Sequence, residues 1–140
     1  MANLKPLIRL RKFQVEEKQK VLAALLREVE KFETKKREVL VSIKEERKIA
    51  EESDDYETQA AYRLYAERAR DQVKLIDLEI NKYNFLIQKA QDDMREAFAE
   101  QKKIEIIQKE REAEEAREEN RKDSARMDEV GMTGFVRKEE

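Results

Sequence analysis

Apolar residues recur along this chain at alternating intervals of four and three. One frame runs Leu4, Ile8, Arg11, Val15, Lys18, Leu22, Leu25, Val29, Phe32, Lys36, Val39, Ile43, Glu46, Ala50, and ten of these fourteen positions are apolar. A second runs Tyr62, Ala66, Ala69, Val73, Ile76, Ile80, Tyr83, Ile87, Ala90, Met94, Ala97, and all eleven are apolar. A repeat of 3.5 residues keeps one stripe of each helix on a left-handed supercoiled seam. The two frames are out of phase, because sixteen residues separate Ala50 from Ala66 and sixteen is not a multiple of seven.

The break in phase coincides with the one interruption of helix-forming sequence, Glu51-Glu52-Ser53-Asp54-Asp55. Ser and Asp side chains accept backbone N–H groups and so favour helix starts. Asp54 with Glu57 three residues on resembles a capping box. Two stripes joined by a short turn bury each other in antiparallel fashion. The expected fold is therefore all-α, an antiparallel two-helix coiled-coil hairpin with an overhanging charged C-terminal helix. Its expected layout is one coiled-coil hairpin over 1–140: helix one at about 4–52, a turn at about 52–55, helix two at about 55–127 and a flexible tail over 128–140. At 1.5 Å per residue the helices are roughly 70 and 105 Å long, so the second overhangs by some 30 Å or more.

Composition narrows the picture. Charged residues make up 46% of the chain, with 31 Lys+Arg against 33 Asp+Glu, so the strong single-sign repulsion that disorders a chain is missing. High balanced charge rich in Glu, Lys, Arg, Ala and Leu is the signature of long helices. The two Gly, at 131 and 134, and the one Pro, Pro6, leave too few turn residues for a sheet fold. Pro6 is tolerated in a first helical turn. A mean hydropathy of -0.97 goes with the lack of any membrane-spanning or signal-peptide stretch, and no direct membrane insertion is expected.

Candidate chemistry is sparse. With no Cys and no His there is no disulfide framework, no ordinary zinc site and no His-based acid–base pair. No Gly-rich phosphate loop is present either. Carboxylates abound, but a two-helix rod offers no enclosed pocket to perturb them. No enzyme activity, catalytic residue, cofactor or metal is expected. Lys5, Arg9, Arg11 and Lys12 form a basic run without an acid from Met1 to Val15, and Lys35, Lys36 and Arg37 form a second. A solvated face, docking on an acidic protein surface and nucleic-acid binding all compete to explain them. The net charge of -2 disfavours nucleic acid, which is not expected as a partner.

Three regions carry residues the seam does not use. Leu7, Leu10 and Phe13 fall outside the frame containing Leu4 and Ile8, so the first turns are apolar on more than one face. An apolar end rimmed by Arg9, Arg11 and Lys12 suits insertion into a larger assembly. Near the turn lie Tyr56, Tyr62 and Tyr65 among small residues that include Ala69. Tyr62 is on the seam and Tyr65 off it, and packing over the hairpin tip competes there with a partner-binding patch. After Ile107, the segment Gln108–Lys122 has only Ala113 and Ala116 as apolar residues and is expected to persist as a solvated helix held by i,i+4 pairs, not as a seam. Beyond it Met127, Val130, Met132, Phe135 and Val136 form a sticky tail between and around the two Gly.

The opening Leu7-Ile8-Arg9-Leu10-Arg11-Lys12-Phe13, then Val15-Glu16-Glu17-Lys18-Gln19 and Leu22-Ala23-Ala24-Leu25-Leu26, resembles the start of the FliJ family of the flagellar type III protein export apparatus. The end, from Arg121-Lys122 through Met127-Asp128-Glu129 to Phe135-Val136-Arg137, resembles that family's tail. The resemblance implies an antiparallel coiled coil similar to the central stalk of rotary ATP synthases. It implies three partners: the hexameric flagellar export ATPase, the cytoplasmic domain of the export gate protein, and export chaperones that the protein escorts. It implies a cytoplasmic location at the cytoplasmic face of the inner-membrane export apparatus. Carried onto this chain, it puts ATPase-ring contacts at Leu7, Arg9, Leu10, Arg11, Lys12 and Phe13, gate contacts at Tyr62, Tyr65 and Ala69, and tail contacts at Met127, Phe135 and Val136. Val41–Lys48 departs from the family pattern in lacking a Tyr. The competing expectations are a general chaperone-like hairpin and a homo-oligomeric coiled-coil scaffold whose seam pairs in trans.

Overall fold

A computed structural model describes the backbone of residues 3–139 and the side chains of residues 3–134. Two helices account for it, α1 (Lys5–Glu52) and α2 (Tyr56–Glu139), packed against each other and with no strand among the described residues. The chain divides into two compact units, Glu16–Glu96 and the pairing of Met1–Val15 with Ala97–Glu140.

The Glu16–Glu96 unit is an antiparallel hairpin closed on the expected seam. Ile43, Ala50, Ala66, Ala69, Ile76, Ile80, Ile87 and Ala90 are its buried apolar residues, and every one occupies a frame position. Leu22, Leu25, Val29, Phe32, Val39, Val73 and Tyr83 are half-buried along the same stripes. Phe32 and Tyr83 meet across the seam with ring centroids 5.6 Å apart at a 39° tilt, a geometry that satisfies the ring quadrupoles better than a stacked sandwich. Charged frame positions are handled in two ways. Lys18 and Glu46 stay exposed. Lys36 is half-buried and places its Nζ 2.7 Å from Asp77 on α2. The hydrogen bond to Asp77 holds the Lys36 ammonium above its ordinary 10.5.

The turn is Ser53-Asp54-Asp55. It contains no positive-φ residue, so it needs no Gly. Asp55, rather than the expected Asp54, caps α2. Its carboxylate accepts the Glu57 N–H at 3.1 Å and the Thr58 hydroxyl at 3.1 Å. A cap reaches the N–H two or three residues ahead, and with α2 starting at Tyr56 only Asp55 stands at that offset. Ser53 Oγ accepts the Asp55 N–H, and the Gln59 amide donates to the Ser53 carbonyl at 2.9 Å, which closes the turn.

In the second unit, α1 starts with its first donors answered. Asn3 Oδ1 accepts the Lys5 N–H at 3.0 Å, and the Leu4 N–H donates to Gln108 Oε1 at 3.2 Å. Pro6 has no N–H to satisfy. The Gln108 contact corrects the expectation that nothing from residue 108 onward packs as a seam. Continued at the same spacing, the second frame reads Gln101, Ile104, Gln108, Arg111, of which Gln101 is buried and the others half-buried. Long polar side chains bury their stems and keep their heads bonded. Gln101 donates to Glu105 at 2.9 Å and Gln108 donates to Glu112 at 2.9 Å. From Glu112 to Gly134 every residue is exposed. The expected helix end near residue 127 is also corrected, since α2 is helical to Glu139. Gly131 and Gly134 weaken a helix without forcing it to stop, and neither has a positive φ.

Candidate interaction surfaces

Around residues 7–13 the side chains grade from seam to solvent. Leu7 is half-buried, Leu10 is 50% exposed and Phe13 56% exposed. At i,i+3 spacing these three form one slanted apolar ridge on α1. Arg9 and Lys12 are exposed beside it. Arg11 differs from its neighbours: it holds a half-buried seam position, its Nε is buried without a partner, and its Nη1 donates to Gln14 at 3.2 Å. A partner that meets this end therefore reaches only part of Arg11. In the same unit Phe98 and Ile106 of α2 are also exposed. The Lys102 ammonium lies 5.3 Å from the Phe98 ring centroid, a cation–π arrangement, and donates to Glu105 at 3.1 Å. Phe98 was not singled out from the sequence. The signal was there, since this aromatic misses the continued frame.

Glu105 collects several of these contacts. Hydrogen bonds from Gln101 and Lys102, with the nearby Lys102 and Lys12 charges, hold its carboxyl below the ordinary 4.5. This region is therefore not a bare basic patch. Part of its positive charge is already matched from α2.

Further along α2, Met127, Val130 and Met132 are exposed at 75%, 70% and 72%. The other two expected tail contacts, Phe135 and Val136, lie outside the residues whose side chains are described.

In the hairpin unit the three expected gate residues differ in access. Ala69 is buried at 5% exposure, so it acts by letting the helices approach. Tyr62 is half-buried beside a groove of about 240 Å³ lined also by Arg47, Ala50, Glu51, Gln59 and Arg63. Tyr65 is 37% exposed, and its hydroxyl and that of Ser42 on α1 share a hydrogen bond of 2.5 Å. The surface near the turn is wider than the tyrosines indicate. Leu40, Val41, Ile49, Tyr56 and Leu64 are all exposed, and Arg63 stacks 5.8 Å from the Tyr56 ring. Val41 and, just beyond it, Ile49 give exposed apolar surface to the stretch of α1 around Val41–Lys48.

No cluster of metal-ligating side chains occurs among the described residues. No described helix is long and apolar enough to cross a membrane.

Fold and surfaces together define an antiparallel coiled-coil protein with apolar side chains exposed along its helices. The chain belongs to the FliJ family, whose model, described as "Flagellar FliJ protein", matches residues 1–140. It is thus a flagellar, export-related coiled-coil protein. No curated protein and no solved structure gave a significant match.

Proposed function

We propose that this protein is the central-stalk and escort component of the flagellar type III protein export apparatus. In this reading it works at the cytoplasmic face of the inner membrane, without enzymatic activity of its own. It binds the hexameric export ATPase through the Leu10–Phe13 ridge and the adjacent Arg9 and Lys12. It binds the cytoplasmic domain of the export gate protein through Tyr65 and the half-buried Tyr62, with Ala69 setting the helix spacing beneath them. Export chaperones are its third partners.

The observation that supports this reading is the ridge itself. Leu10 and Phe13 are half or more exposed on a helix whose seam is already filled. Exposed apolar groups rimmed by charge mark protein-binding sites. A stalk of this kind acts by contacting the subunits of a ring unequally, because only differential contact can link nucleotide state to stalk orientation. Charged flanks suit that task, since screened contacts exchange readily as the ring turns over.

The test is ATP hydrolysis by the cognate hexameric ATPase. Addition of the protein is expected to stimulate it, and Phe13→Ala or Leu10→Ala to reduce the stimulation several-fold at equal helicity. No stimulation at saturating protein sinks the ATPase role. Tyr65→Ala should leave the stimulation intact and weaken capture of the gate domain.

A further inference from the structure

A second heptad frame runs along the outer side of α2 in the hairpin unit, opposite the seam. Its positions 68, 71, 75, 78, 82, 85, 89 and 92 follow strict three–four spacing, and all are exposed. At its centre Leu75, Leu78 and Phe85 are 64%, 61% and 75% exposed. These exceed the exposure of any apolar residue on the seam, and no part of this unit covers them.

The order of charges along this frame is self-complementary. Read forward, Arg68 and Asp71 precede the apolar centre, and Lys89 and Asp92 follow it. Two copies laid antiparallel about an axis at Ile80 put Arg68 opposite Asp92 and Asp71 opposite Lys89. Leu75 then meets Phe85, and Leu78 meets Lys82. Both outer pairs on each side are of opposite sign. A parallel pairing would instead put each charge opposite itself. Lys82 is compatible with the central position, because its stem can lie on Leu78 while its ammonium stays with Glu79, 3.6 Å away on its own helix. A groove of about 410 Å³ beside Phe85, lined also by Glu79, Lys82, Tyr83 and Leu86, gives an incoming Leu75 a seat.

We propose that this face binds a second copy of the chain, forming an antiparallel two-fold dimer of intact hairpins through the outer frame of α2. In such an isologous contact each residue i meets j while j meets i, so every pair occurs twice. The contact leaves the seam closed, which separates it from a coiled coil made by exchanging helices.

The full chain tests this by sedimentation equilibrium and by cross-linking. The parent should pass from 16.8 kDa to twice that mass as concentration rises. Asp71→Lys or Lys89→Asp alone places like charges across the axis twice and should weaken the dimer at least about tenfold. Combining D71K with K89D restores opposite signs and should bring the dimer back to within about threefold of the parent. Because the chain has no Cys, introduced thiols report position unambiguously. An oxidised mixture of the Leu75→Cys and Phe85→Cys proteins should form the mixed disulfide. Neither protein alone should, since like residues would sit ~15 Å apart along the axis. A parent monomeric at all concentrations, failure of the double charge swap to rescue, or same-residue cross-links would overturn the proposal.

Discussion

Two stretches of α2 share a helical backbone and have opposite means of support. Between Ala66 and Ala90 the helix lies on α1, and six of its residues are buried at frame positions. Between Glu112 and Gly134 every residue is exposed. Both stretches are charged and helical, but twelve of the first stretch's twenty-five residues are apolar against six of twenty-three in the second. The first stretch is helical because an apolar stripe is removed from water, at about 25 cal/mol per Å² of apolar surface. The second relies on ion pairs within one helix: Arg117 with Glu114 at 2.6 Å, Arg121 with Glu118 at 2.8 Å and Arg126 with Asp123 at 3.5 Å. All three have the acid nearer the N-terminus, the orientation the helix dipole favours, and all three are open to screening by solvent and salt. Buried seam and lone helix should therefore respond to different perturbations.

The sharpest separation comes from Ile80→Ala. It removes a buried side chain from the middle of the seam and should cost about 2–3 kcal/mol, the low end for such truncations because two helices alone can partly collapse around the gap. Glu115→Ala in the lone stretch should change global stability by less than about 0.5 kcal/mol. Thermal melts followed by circular dichroism compare the two. An equal loss from both would mean that the seam does not carry the stability of the hairpin.

Next in size are the terminal devices. Asp55→Ala deprives the start of α2 of its acceptor and should cost about 1 kcal/mol, whereas Asp54→Ala should cost nearly nothing. Gln108→Ala leaves the Leu4 N–H without its side-chain acceptor, a loss of about 1 kcal/mol that amide exchange at Leu4 would register as faster exchange. If the two Asp variants behaved alike, the capping geometry described for the turn would be wrong.

Most of the fold could be read from the sequence, and the misses share a cause. Period, phase break and missing Gly and Pro place the hairpin, and the buried apolar residues all fall on the two frames. What could not be read was where polar letters do apolar work. Gln101 and Gln108 continue the seam because their stems pack while their amides bond Glu105 and Glu112, and Arg111 is half-buried at the next position, which a hydrophobic count does not register. The cap shifted from Asp54 to Asp55 because a one-residue difference in helix start decides which carboxylate reaches the N–H groups. Of the candidate surfaces, Leu10 and Phe13 were identifiable as off-frame residues. The burial of Ala69 follows directly from its own frame position and limits it to a supporting part. Leu75, Leu78 and Phe85 went unremarked because a second, outer frame emerges only when the first has been assigned to a partner.

The lone stretch can also be strengthened locally. A Cβ added at Gly131 or Gly134 would meet nothing within 4 Å. Ala at either site should favour local helix by about 1 kcal/mol and slow amide exchange around it, with no change in the melting of the hairpin. A coupled rise in both would show that the two stretches do not behave independently.

The smallest expected effect has a definite sign. The hydrogen bond from Arg121, aided by the charge of Lys122, holds the Glu118 carboxyl below its ordinary 4.5, and the same bond raises the Arg121 guanidinium. A depressed carboxyl contributes stability that is present above its unfolded value and is lost as pH falls through the folded one. Acidification from pH 6 to below about 4 should therefore loosen the helix around Glu118, along with Glu105, whose carboxyl is depressed by Gln101 and Lys102. The buried Ile76 and Ile80 side chains do not titrate, and protection there should change less in that window. Glu118→Gln should remove the acid response near residue 118 while leaving that near residue 105, as read by residue-resolved amide exchange. Salt should imitate the acid at residue 118, because a fully exposed pair is screened within roughly 10 Å at 0.1 M. Loss of protection at Ile80 before residue 118 in either titration would invert the comparison, with the seam as the weaker support.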